Sequence, residues 1–135
     1  MPKLTNAELV AAQAAGLRAL ADFIEANPHL ADEMRYPLAN ILTPVNSAED
    51  PRAMLAEFGT AAYDHDGATV DNYNGGADYA GLLLHFGPAV GIQVYAKREK
   101  LFAKFINGVP AEQAPAQMKV EWRVPDELAV LGVTE

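Results

Sequence analysis

Tyr79-Ala-Gly-Leu-Leu-Leu-His-Phe-Gly-Pro-Ala-Val-Gly-Ile-Gln-Val-Tyr-Ala96 is the stretch whose reading decides the fold. Two apolar arms flank Gly87-Pro88. The second arm alternates, with Ile92, Val94 and Ala96 on one face and Gln93, Tyr95 and Lys97 on the other. Period-two alternation beside a Gly-Pro break predicts two antiparallel strands joined by a short turn. This hairpin is expected at the centre of a sheet. It is scaffold and carries no chemistry of its own.

Working back toward residue 1, Tyr63 to Asp78 is rich in Asp, Asn and Gly, with a short strand expected over Ala68–Tyr73 and a turn at Asn74-Gly75-Gly76. Asp50 and Pro51 suit a helix cap and first helical position, ahead of Met54, Leu55 and Phe58, with Gly59 expected to end that helix. Between Pro37 and Pro44, alternation predicts a strand at or near a sheet edge, where proline is tolerated. The first helix, about Asn6 to Ala26, opens on the capping box Thr5-Asn-Ala-Glu8. Its stripe of Leu9, Leu17, Leu20, Phe23 and Ile24 is expected to pack on the sheet.

Beyond the hairpin, Leu101–Ile106 fits a strand nearly as well as a helical turn, and strand is the reading preferred. Met118–Val124 alternates again, placing Val120, Trp122 and Val124 on an apolar face, so core burial is expected for Trp122. A short helix is expected over Glu127–Leu131. The order is helix, strand, helix, then a run of strands. It predicts a single α+β domain over residues 1–135: an antiparallel sheet of four to five strands with the N-terminal helix and a second short helix on one face.

The chain has 135 residues, enough to bury a core without staples, and no cysteine, which removes disulfides, thiolate metal sites and cysteine nucleophiles. Without a leader pattern or a membrane-length apolar run, the expectation is a soluble, cytoplasmic protein that contacts no membrane. Net charge is −8. Residues 1–90 hold 12 acidic and 4 basic side chains, while residues 91–135 hold 6 of each. The acidic balance thus lies in the first two thirds, which opposes phosphate binding and suits solubility or docking on a basic partner.

The C-terminal third resembles a family of small uncharacterised proteins of actinobacteria and their phages. Phe86-Gly87-Pro88, the alternating strand ending in Ala96-Lys97-Arg98-Glu99, and Val120-Glu121-Trp122 carry the likeness. That family usually has a cysteine after the Arg-Glu pair. Phe102 stands about there in this chain, so any thiol role is lost. The resemblance implies a context, a phage or actinobacterial accessory protein, and no activity, cofactor or site residues.

Three constellations could carry function. Asp64-His65-Asp66, with Asp71 near, has a ligand-like composition, but it lacks the glycine and closing glutamate of a calcium loop, and turn-rich segments hold such residues for backbone reasons. It would serve a metal-dependent enzyme. His85 could act as a base given a carboxylate partner and a cleft, but no serine or threonine advertises itself as a nucleophile. Tyr95, Lys97, Arg98, Lys119 and Arg123 could make a basic-aromatic patch on the C-terminal strands, the composition of nucleic-acid sheets. The acidic body opposes that use. The reading preferred is a non-catalytic protein without cofactor or metal that contacts another protein, or a second copy of itself through a sheet edge, through that same set of residues.

Overall fold

The computed structural model describes residues 3–106, 109–110 and 120–134. The chain divides into two compact units, Met1–Tyr36 and Pro37–Glu135.

The first unit is dominated by α1 (Asn6–Ala26). Its capping box is complete: the Thr5 N–H donates to Glu8 Oε1 at 3.1 Å, and the Glu8 N–H donates to Thr5 Oγ1 at 3.2 Å. Together these satisfy two of the donors a helix start leaves orphaned. At the other end the Asn27 side chain donates to the Phe23 carbonyl, and a 3₁₀ turn over Pro28–Leu30 follows. The burial expected for the apolar stripe is not found. No residue of α1 is buried, and Leu9, Val10, Leu17 and Phe23 stay exposed. Length, alanine content and the caps sustain this helix, since all three raise helicity independently of packing.

The second unit is built on a four-stranded sheet with β1 (Ile41–Pro44), β2 (Thr69–Gly75), β3 (Tyr79–His85) and β4 (Gly91–Lys97) in the order β1-β4-β3-β2. The expected hairpin is β3–β4, closed by a 2.8 Å bond from the Phe86 N–H to the Val90 carbonyl, with Gly87 at φ +83° where only glycine is unstrained. The sheet is mixed, which corrects the antiparallel expectation: β1 runs parallel to β4, Ile41 opposite Ile92 and Pro44 opposite Tyr95. Parallel neighbours need a long crossover, and α3 (Pro51–Tyr63), β2 and β3 supply it. The Asn46 side chain accepts from the Lys97 N–H at 2.8 Å and continues the edge past Pro44. The strand predicted between Pro37 and Pro44 is real only in its second half and does sit at an edge. Arg35–Ala39 forms the short helix α2 instead.

Helix α3 starts as expected, on an Asp50 cap and Pro51, but runs through Gly59. A Cβ on Gly59 would lie 2.7 Å from a Leu131 methyl and 2.8 Å from a Leu82 methyl. The glycine is a place of close approach and not a stop. Leu55, Gly59 and Ala62 bury this face of α3 on the sheet side carrying Ala80, Leu82, Leu84, Val94 and Ala96. Leu55, Leu82 and Val94 are fully buried, each contributing about 1.5–3 kcal/mol.

After β4 the chain makes one helical turn, α4 (Arg98–Leu101), and then β5 (Ala103–Ile106), so of the ambiguous Leu101–Ile106 only Leu101 is helical and the strand reading holds from Ala103 on. Strand β5 pairs antiparallel with β6 (Val109–Pro110) and β7 (Val120–Arg123), giving a second, three-stranded sheet. The single sheet expected from the sequence is therefore two. Trp122 is only partly buried, short of the core burial expected. The final helix α5 (Asp126–Ala129) buries Leu128 completely, and the Thr134 N–H donates to the Asn72 side chain, tying the tail to β2.

Two outcomes follow. A Cβ at Gly81 would collide with the Val94 carbonyl of the neighbouring strand. Gly81→Ala should therefore destabilise by about 1–3 kcal/mol, the usual cost of overpacking, read as a lower urea midpoint with unchanged slope. At the start of α1, the Thr5 side chain first and its backbone N–H second hold the Glu8 carboxyl below its ordinary 4.5. A carboxylate lowered on folding contributes stability that is full above 4.5 and is lost as pH falls through the lowered native value. NMR titration should place Glu8 below 4.5 in the wild type and return it upward in Thr5→Ala.

Candidate interaction face and the Arg98 anchor

Pleating puts alternate residues of each strand on opposite faces. One face of the four-stranded sheet is the core described above. The other carries Leu42 from β1, Gln93 and Tyr95 from β4, Tyr79, Leu83 and His85 from β3, and Asp71 and Tyr73 from β2. Apart from Gly81 and Gly91, nothing on it is buried; Leu42 is 61% exposed.

Three tyrosines organise this face. Gly81 stands directly opposite Tyr73 on one side and Tyr95 on the other. Because Gly81 has no side chain, the two rings meet across it, 6.2 Å between centroids and edge to face. Tyr79 meets Tyr95 from the diagonal position, 5.8 Å away and also edge to face. These are preferred aromatic geometries. The result is a half-buried aromatic patch on three adjacent strands. Tyr95 was singled out from the sequence; Tyr73 and Tyr79 were not. Their signal was present in the two turns, since Asn74-Gly75-Gly76 and Gly87-Pro88 together set the register that places Tyr73, Gly81 and Tyr95 in line.

The other residues singled out fare differently. Lys97 is exposed at the end of β4, opposite Tyr79. Arg98 was read as part of a surface patch, and the structure corrects this: its exposure is 5%. Its Nε donates to the Gly76 carbonyl at 2.7 Å, and its Nη2 donates to Asn74 Oδ1 at 3.0 Å. The guanidinium lies 5.4 Å from the Phe102 ring centroid. Its backbone N–H donates to the Asp78 carbonyl at 2.8 Å. Arg98 thus anchors the β2–β3 turn to the end of β4, with no carboxylate paired to it among the described residues. Arg123 is exposed on the second sheet, and Lys119 lies outside the described residues.

Asp64, His65 and Asp66 are all exposed. Asp64 caps the end of α3, the His65 carbonyl accepts from the Ala68 N–H, and Gly67 takes φ +86°, so these residues make a turn. Among the described residues no group of three or more His, Asp or Glu side chains converges as a metal site. His85 does have a carboxylate neighbour, with Nε2 3.6 Å from Asp71 Oδ2. At that separation, on side chains 37% and 75% exposed, the pair is a weak surface contact.

The anchor can be tested by stability. Arg98→Gln removes two charge-assisted hydrogen bonds, each worth about 1.5–3 kcal/mol. It should lower unfolding free energy by about 2–4 kcal/mol in urea titration, whereas Lys97→Gln, on an exposed side chain, should change it by less than about 0.5 kcal/mol.

No protein-family model matches the chain, and no match is found among curated proteins or solved structures. The functional reading rests on the geometry of the chain's own residues.

Proposed function

We propose that this protein is a non-catalytic accessory module that binds another protein through the tyrosine-bearing face of its four-stranded sheet. The observation that carries the reading is the Tyr73–Tyr95 contact across Gly81, extended by Tyr79, with exposed Leu42 at the sheet edge. Tyrosine offers large contact area and a polar tip at a small entropy cost, and it is enriched where protein interfaces concentrate their energy. The acidic balance of residues 1–90 favours a partner with a basic rim, because charge complementarity raises association rates and rejects acidic surfaces. The setting proposed for this role is the phage or actinobacterial one that the resemblance of the C-terminal third implies.

Tagged protein incubated with extract of such a bacterium should retain one protein at near-stoichiometric ratio. Tyr73→Ser combined with Tyr95→Ser should abolish that capture while leaving far-UV circular dichroism unchanged. Capture that survives the double change overturns the reading. So does salt-sensitive retention of DNA or RNA that Lys97→Glu removes, or turnover that requires a divalent metal and vanishes in Asp64→Ala or His65→Ala.

A further inference from the structure

Over Asn6–Ala26, α1 holds three full heptads and is about 30 Å long. Val10, Leu17 and Ile24 recur every seventh residue, with Gln13 and Leu20 between them, the spacing of a coiled-coil seam. Beside that seam stand Ala7, Ala14 and Ala21 on one flank and Leu9, Gly16 and Phe23 on the other. None of these residues is charged. All four charged residues of the helix, Glu8, Arg18, Asp22 and Glu25, fall on the opposite side. No residue of α1 is buried, and Leu9, Val10, Leu17 and Phe23 are between 43% and 63% exposed. An amphipathic helix ordinarily owes most of its stability to burying such a face, so this one calls for a cover that its own unit does not supply.

Charge decides which cover fits. Helices that lie on membranes carry Lys and Arg on the polar side, and here that side holds three acids and one base. A different helical partner is selected by charges flanking the seam, and both flanks are neutral. A second copy needs neither. Run antiparallel about a two-fold axis at Ala15, the seam is complementary to itself. Val10 lies against Leu20 of the other copy, Gln13 against its Leu17, and Leu9 against its Phe23. Ala14 and Gly16 meet their own counterparts at the axis, where small residues let the backbones close in. A parallel pair would instead set Phe23 against Pro28, past the helix end. The antiparallel arrangement also brings the positive start of each helix beside the end of the other, whose last turn has no basic residue. Such a pair takes on the order of 1,000 Å² out of water, about what a specific interface needs. We infer that α1 is a self-association element that joins two copies of the chain as an antiparallel helix pair. The inference does not depend on the tyrosine face.

The full-length chain should sediment as a dimer at about 0.1 mM and dissociate on dilution. Leu17→Glu places a charge in the seam at an exposed position, so the chain should fold and its association should weaken at least about tenfold. Ala15→Glu adds the same charge on the outer side and should leave the dimer intact, as should Tyr73→Ser combined with Tyr95→Ser. Because the chain has no cysteine, single replacements report geometry without background. A short bismaleimide should join Ala14→Cys to its counterpart and leave Ala15→Cys unlinked, whereas a parallel pair would hold the two copies of residue 14 on opposite flanks. A wild-type monomer at that concentration, a Leu17→Glu chain that still pairs, or failure of Ala14→Cys to link in preference to Ala15→Cys overturns the inference.

Discussion

The hydrogen bonds of one buried guanidinium hold together a corner of the second unit, and among the described residues no carboxylate is paired with it. Arg98 follows β4 directly, yet its side chain reaches back 22 residues to Gly76 and 24 to Asn74. Both acceptors are neutral, and one is the backbone carbonyl of Gly76, which takes φ +81° in the β2–β3 turn. The Asn74 oxygen also accepts from the Gly76 N–H, so one amide serves the turn and the anchor together. This arrangement joins the β2–β3 turn, the end of β4 and Phe102 at one corner. The aromatic face borders that corner through Tyr79, which stands opposite Lys97.

The sheet divides its duties by pleat. One face supplies Leu82, Leu84, Val94 and Ala96 to the core and receives α3. The other keeps tyrosine, leucine and a loose His85–Asp71 pair half in water. Gly81 and Gly59 serve the two faces in the same physical way. Each is a place where a missing side chain lets neighbours close in, rings over Gly81 and leucine methyls at Gly59. Exposed tyrosine is tolerated by a soluble fold more readily than exposed leucine or valine, because its hydroxyl stays hydrated.

Much of the local structure could be read directly. The capping box at Thr5, the Asp50-Pro51 helix start, the hairpin about Gly87-Pro88 and the edge placement of Ile41–Pro44 all depend on interactions within a few residues, which is why they are legible. Gly59 misled because a glycine that ends a helix and a glycine that lets a helix approach a sheet look alike until the neighbouring Leu82 and Leu131 are known. Arg98 misled for a related reason. A basic residue among Lys97 and Lys100 reads as surface charge, and the acceptors that bury it lie in a turn two strands earlier.

The amino-acid order alone thus determined the periodicity of each segment, the positions of the turns, the acidic balance and the α+β class, because hydrophobic spacing and turn chemistry act over short distances. Three things were decided only in three dimensions. These are the direction of β1 beside β4, the division of the strands into two sheets, and the burial of Arg98. Each depends on which distant segments meet, and a strand of four residues such as β1 carries the same alternation whichever way its neighbour runs.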